Sequence, residues 1–494
     1  MPESLDILIS FLAYFILMLA IGWYFYKKTE DLSDYILGGR GLNIWVTSLS
    51  AQASDMSGWL LLGLPGYAYL SGLESAWLLL GLLTGTYINW KFVAQRLRKY
   101  TQIAGDSITL PDYFQNRFRA KSKLLRIVSA LFILIFFLIY TASGFVAGAK
   151  LFNTVFHLPY LLALAVGVFV IISYTFLGGF MAVSWTDVVQ GMIMFFAIIV
   201  VPVIGIVSLG GLNQTVNILT DKNPQLLNIF TTSGGNPLSI IVIISLLAWG
   251  LGYYGQPHIL ARFMAIKHSS QISQARKIAM TWVIISLISA VVLGMVGFAY
   301  LHPELKGSAS ETVFMVMVHK LVHPLFAGVL LSAILAAVMS TADSQLLVAS
   351  SAFTEDLYRA FIKKNASQKE LVFVGRLAVL IIAVLAFLIG INPDSSVLDL
   401  VAYAWAGFGS AFGPVILFSL YWKRMTEKGA IWGIIIGGIV VLVWKQLTGG
   451  IFDLYEMVPG FLLASIAIVV FSLLDNPPGN EIIEEFESVS TLDI

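Results

Sequence analysis

Thirteen mainly apolar stretches run through the chain, separated by short polar segments. They cover about residues 5–26, 42–73, 75–95, 124–155, 158–182, 188–211, 237–265, 279–301, 322–352, 375–391, 397–420, 430–447 and 456–474. Roughly 20 apolar residues carry a helix across the hydrocarbon core of a bilayer. Membrane strands would instead show short segments of alternating polarity. The pattern predicts an all-α integral membrane protein with 13 transmembrane helices. The first stretch follows Glu3 and Asp6 and precedes Lys27 and Lys28. That order is the reverse of a cleaved signal, so a retained helix is expected.

Composition agrees. The chain is 58% hydrophobic and 12% charged, with mean hydropathy +0.86, whereas soluble domains carry about 25% charged residues. A net charge of +1 leaves no basic face for nucleic acid. Cysteine is absent, which removes thiol chemistry. Of the six histidines only His319 and His323 share a helical face, and no H-E-x-x-H, G-x-S-x-G or P-loop occurs, so no enzyme is expected. Placing the N-terminus outside puts all but five of the 29 Lys and Arg on the inner side. The exceptions are Lys150, Lys222, Lys306, Lys320 and Lys445. That bias predicts a cytoplasmic C-terminus, with an acidic tail over 475–494.

Two stretches look broken. The second contains Gln52, Ser54, Asp55 and Ser57 near mid-membrane, where a carboxylate costs roughly 2.5–3.5 kcal/mol on insertion scales and needs a partner. The seventh crowds Gly250, Gly252, Gly255, Gln256 and Pro257 together. Matching breaks in two halves mark a transport site between inverted repeats. Those repeats would occupy about 42–211 and 237–420 of a single transporter domain, 1–474. Two ordinary kinks would give the same letters. The glycine spacing also spells G-x-G-x-x-G, but no strand precedes it, so no nucleotide site is read there.

In the ninth stretch Ala337, Ser340 and Thr341 lie at i, i+3 and i+4 and share one helical face. Two hydroxyls and a carbonyl are hard oxygen donors suited to Na⁺, and carbonyls freed at Ala53 and Met56 could complete the shell. The same hydroxyls could simply bond back to their own helix.

The sequence resembles the sodium/solute symporter family over nearly its whole length. The stretches that carry the resemblance are Ala51 to Trp59, Ser173 to Asp187 with Gly178-Gly179, Ala336 to Gln345, and Arg424 followed by Gly429-Ala430 and Gly433. The resemblance implies a LeuT-like fold of inverted five-helix repeats plus three extra helices in a bacterial cytoplasmic (inner) membrane. It implies Na⁺ as coupling ion, held by Ala53, Met56, Ala337, Ser340 and Thr341, with Asp55 beside it. It implies L-proline as solute, about one Na⁺ per proline, moved by alternating access. Asp187 would lie on the sodium release path, although a helix cap at the interface would also explain it. Arg40 would gate the inner side or only anchor it.

A zwitterion of this kind needs donors for its carboxylate and an aromatic or carbonyl face for its ammonium. Ser57 and Gly58 could serve the first. Trp59, Tyr140, Trp249, Tyr253 and Pro257 could serve the second and wall the ring. No Arg or Lys is expected in these cores. Gln52 and Gln256 are the amide side chains found in the two breaks, too few for a sugar; a pantothenate-type solute remains the rival.

Overall fold

The computed structural model describes residues 2–26, 36–175 and 179–489. Lys27, Lys28 and Gly178, used above, lie outside these. The helices, in order, are α1 (Pro2–Tyr26), α2 (Ile44–Asp55), α3 (Leu64–Ser71), α4 (Ala76–Ile88), α5 (Ala94–Ile103), α6 (Leu110–Arg117), α7 (Leu124–Phe156), α8 (Tyr160–Thr175), α9 (Phe180–Ser208) and α10 (Leu212–Lys222). There follow α11 (Ile240–Ala248), α12 (Pro257–Ala265), α13 (Ile272–Tyr300), α14 (Val313–Leu321), α15 (Pro324–Ser351), α16 (Gln368–Ile389), α17 (Val397–Tyr421), α18 (Glu427–Trp444), α19 (Met457–Leu474) and α20 (Asn480–Ser488). Among the described residues nine helices are long and apolar enough to cross a membrane, and a tenth span is the pair Ile240–Gly255 and Pro257–Ala265, bent by 46°. The chain is therefore a multi-pass membrane protein.

Both predicted breaks are present. α2 stops at Asp55 because Met56 leaves helical geometry (φ −86°, ψ 76°). A π-helical turn over Trp59–Gly63 then leads into α3. α11 passes into a 3₁₀ turn, Trp249–Gly255. Gln256 is extended (φ −80°, ψ 106°) and Pro257 opens α12. Proline forces this: it lacks an N–H and pushes the preceding residue out of the α region.

α15 is the central helix, packed against α1, α2, α7 and α9. The second break is held by α4 and α17, and its glycines are what allow that approach. A Cβ on Gly250 would lie 2.2 Å from the Gly81 carbonyl oxygen, and one on Gly252 would lie 1.9 Å from Trp405 Nε1. The G-x-G-x-x-G spacing thus serves helix packing.

Several boundaries differ from the sequence reading. The expected spans 158–182 and 188–211 become α8, ending at Thr175, and α9, beginning at Phe180. The apolar run Phe180 to Val183 is the first turn of the later helix. Asp187 is therefore inside α9 and buried, not a cap. The polar segments between the spans also carry helices: 96–123 contains α6, 212–236 contains α10, 302–321 contains α14, and 353–374 begins with a π-helical extension of α15, Ala352–Ile362. Lys150, expected at the outer surface, is buried and paired with Glu311 at 2.5 Å.

Gly250→Ala should lower the thermal midpoint of the detergent-solubilised protein, since overpacking a close crossing costs about 1–3 kcal/mol. Gly479→Ala, where an added Cβ meets nothing within 4 Å, should leave it unchanged.

Candidate cation and solute site

The cation donors expected from α2 and α15 come together. Ser340 Oγ donates to the Ala53 carbonyl at 2.9 Å, and Thr341 Oγ1 donates to the same oxygen at 3.4 Å. Ser340 Oγ also reaches the Ala337 carbonyl at 3.2 Å. The Ser340 hydroxyl therefore does bond back to its own helix and also crosses to the other, while Thr341 crosses. Two hydroxyls and two carbonyls converge where the last turn of α2 meets α15. All four residues, and Met56, are buried. The donor set contains only neutral oxygens, which suits a hard monovalent cation.

Asp55 faces the other way. Its Oδ2 accepts from the Tyr253 hydroxyl at 2.9 Å, so the carboxylate ties the first break to the second. Its Oδ1 has no hydrogen-bond partner among the described residues. The Asp55 carbonyl accepts from Trp59 Nε1 at 3.1 Å and from the Tyr140 hydroxyl at 3.3 Å. Three of the four aromatics singled out in the sequence therefore gather on Asp55. The fourth, Trp249, sits beside Trp59 with ring centroids 6.5 Å apart.

Trp405 of α17 completes this wall. It packs edge-on against Tyr253 at 5.0 Å and donates Nε1 to the Trp249 carbonyl at 2.8 Å. Gln256 Nε2 donates to the Gly252 and Trp405 carbonyls. Trp405 was missed because its span looked unbroken; the run Ala406-Gly407-Phe408-Gly409 beside it was the available signal.

Ser57 and Gly58 lie in the break as expected, both buried. The Cα face of Gly58 is closed, since an added Cβ would sit 2.7 Å from Ala147 Cβ. Pro257 is placed differently from the ring wall. It lines a narrow cleft with Ile108, Ile133, Ala261, Met264 and Val348, toward the end of the bundle that carries Arg40.

Arg262 overturns the expectation that no Arg or Lys enters these cores. Five residues after Pro257, it is completely buried and bonds Asp187 Oδ2 at 3.1 Å, Ser50 Oγ at 3.0 Å and Ser344 Oγ at 2.5 Å. Ser50 also donates to Asp187 at 2.7 Å, and Ser344 donates to the Ser340 carbonyl at 2.8 Å. This network links the cation donors to Asp187. Counting Arg262 among the interfacial positive charges hid it; its i, i+4 spacing from His258 on one helix face was the available clue. Arg40 donates to Asp106 Oδ1, Thr101 Oγ1, Met264 O and Ser107 O at 2.7–3.2 Å. It brackets the start of the first broken span to the end of the second.

Removing one partner of a buried ion pair strands the other and costs about 3–5 kcal/mol, whereas replacing both with apolar groups costs far less. Arg262→Met should therefore lower the thermal midpoint sharply, and Arg262→Met with Asp187→Leu should recover part of the loss, which a double-mutant cycle on the unfolding midpoints would read.

Comparison with known proteins fits this geometry. The sodium/proline symporter of Escherichia coli K12 is 53% identical over 483 residues, 97% of this chain and 95% of that protein. The osmoregulated proline transporter OpuE of Bacillus subtilis 168 is 52% identical, with 96% of each covered. Among solved structures, a Na⁺-coupled sialic acid symporter matches with TM-score 0.79 at 20% identity, covering 96% of this chain and 99% of that one. MhsT in complex with L-phenylalanine matches with TM-score 0.53 at 16% identity, covering 88% and 98%. The sodium:solute symporter family model matches residues 35–437, and the chain belongs to that family.

Proposed function

We propose that this protein couples inward Na⁺ movement to uptake of L-proline by alternating access, about one Na⁺ per proline. The observation that carries the reading is the junction of the Ala53 carbonyl with the Ser340 and Thr341 hydroxyls. A cation there pulls the broken end of α2 onto α15. Asp55, two residues on, carries that ordering to Tyr253 and so to the second break. The relatives' names favour proline over other small zwitterions.

In this reading Ala53, Met56, Ala337, Ser340 and Thr341 hold Na⁺, and Asp55 organises the site from its edge. Ser57 and Gly58 meet the solute carboxylate. Trp59, Tyr140, Trp249 and Tyr253 enclose its ring and ammonium, while Pro257 borders the exit cleft. Asp187, with Arg262, forms the sodium release path, and Arg40 latches its mouth. The chain makes 13 crossings: α2–α3, α4–α5 and α11–α12 each count as one span, α8 as another. A single transporter domain, 1–474, holds LeuT-like repeats at about 42–211 and 237–420, flanked by three extra helices. It sits in the bacterial inner membrane with the N-terminus outside and the tail, 475–494, in the cytoplasm.

The energetics suffice. One charge crossing about 100 mV yields about 2.3 kcal/mol, and a tenfold Na⁺ gradient adds about 1.4 kcal/mol. Together these support roughly 500-fold accumulation of a neutral zwitterion. In proteoliposomes, radiolabelled L-proline should overshoot equilibrium with an inward Na⁺ gradient and not with K⁺, and excess pantothenate should not compete. No overshoot with proline would move the solute elsewhere in the family. Ser340→Ala and Thr341→Ala should each raise the Na⁺ concentration for half-maximal uptake by about tenfold or more, the scale of one lost charge-assisted oxygen contact. Unchanged Na⁺ dependence at normal membrane levels would remove these residues from the site.

A further inference from the structure

The acidic tail is not a loose end. Its helix α20 presents Phe486 inward, and Phe486 and Val489, the residue after the helix, are both buried. The Arg96 and Arg117 guanidiniums lie 4.9 and 5.1 Å from the Phe486 ring centroid, and the Tyr100 ring lies 6.2 Å away. Arg119 pairs with Glu481 and Glu485, and Lys423 pairs with Glu487 at 3.0 Å. The tail is pinned at its start, where Arg424 donates to the Asp475 carbonyl at 2.7 Å and Lys428 pairs with the Asp475 carboxylate at 2.8 Å.

What α20 leans on matters more than how it is held. Arg96 and Tyr100 are i and i+4 on α5, so they share a face. Arg98 and Thr101 are i and i+3 and share roughly the opposite one. That second face meets the Arg40 bracket, whose Met264 partner lines the cleft. Arg98 Nε donates to the Ile266 carbonyl at 2.7 Å, and Thr101 accepts from Arg40 at 3.2 Å. There the chain entering α2 is stitched to the chain leaving α12: Leu42 N–H donates to the Ala265 carbonyl at 3.1 Å, and Lys267 N–H donates to the Leu42 carbonyl at 2.9 Å. α5 therefore stands between the tail helix and the Arg40 bracket, which reaches the cleft lining at Met264.

We infer that α20 is a regulatory strap: docked, it presses α5 against the Arg40 latch and holds the inner cleft closed; undocked, it lets that side open. The inference rests on the alternating-access reading and adds a control that reading does not contain. The anchoring charges are mostly exposed, and exposed ion pairs are weak and screened by salt. The strap's remaining grip is the Phe486 cluster, a partly desolvated cation–π contact. Such a dock can release without unfolding the bundle.

The chain has no cysteine, so a single reporter reads the cleft. Val348→Cys lines it and can be labelled in inside-out vesicles by a membrane-impermeant maleimide, with no solute present. In that background Phe486→Ala and Arg119→Glu should each raise the labelling rate about fivefold, as expected for a two-state opening biased by one such contact. Adding Glu481→Arg and Glu485→Arg to Arg119→Glu should return the rate toward that of the parent. Equal labelling of the reporter parent and both single variants, at equal membrane levels, would overturn the strap. Because labelling needs no proline, that result would be distinct from a failure of proline uptake in the unmodified chain.

Discussion

The constraint on which everything else depends is that backbone polar groups at membrane depth must find partners inside the protein. α2 ends at Asp55 in the middle of an apolar bundle and leaves carbonyls that its own helix does not use. The structure answers at two places: Ser340 and Thr341 reach the Ala53 carbonyl from α15, and Trp59 and Tyr140 reach the Asp55 carbonyl. A helix break is tolerable there because neighbouring elements are shaped to receive it. The Ala53 carbonyl is also a donor to the proposed Na⁺ site. In that reading structural necessity and transport chemistry share the same atoms, and a substitution that removes one disturbs the other.

The second break obeys a different logic. It carries no charge of its own until Arg262, and its glycines let α4 and α17 approach to distances at which a Cβ would overlap backbone. Tyr253 projects from this dense turn to the Asp55 carboxylate. One break supplies open valences and the other a rigid aromatic wall. The asymmetry fits a site in which the ion orders one helix while the solute packs against the other.

Sequence made the breaks, the meeting of Ser340 and Thr341 with Ala53, and the aromatic set legible because each leaves a local mark: a carboxylate in an apolar run, hydroxyls at i+3 and i+4, glycines before a proline. What it hid depends on long-range pairing. Arg262 reads as an interfacial charge until α9 and α2 are seen to supply Asp187 and Ser50. Trp405 lies in an apolar run with no interruption to draw attention. Asp187 was ambiguous because glycines at the junction of two spans blur where one helix stops and the next starts; only the start of α9 at Phe180 settles that it is interior. The docking of the tail is hidden because Phe486 looks like an isolated apolar residue until Arg96 and Tyr100 of α5 and Arg117 of α6 are brought against it.

The network around Arg262 links the Ala53–Ser340 junction, proposed to hold the cation, to Asp187, proposed to lie on its release path. Ser344 accepts from Arg262 and donates to the Ser340 carbonyl, one turn from the hydroxyl that reaches Ala53. A shift of α15 that loosens the Ser340 end must move Ser344 against a guanidinium fixed by Asp187 and Ser50. That guanidinium belongs to α12, whose C-terminal end the Arg40 bracket holds through Met264. In the proposed reading, energy that a cation contributes at Ala53 is felt at the Arg40 bracket, and by linkage closure there is felt at the cation. No long-range field is needed for this: buried hydrogen bonds run from the break in α2 to Arg262, and the backbone of α12 carries on from there to the Arg40 bracket at Met264.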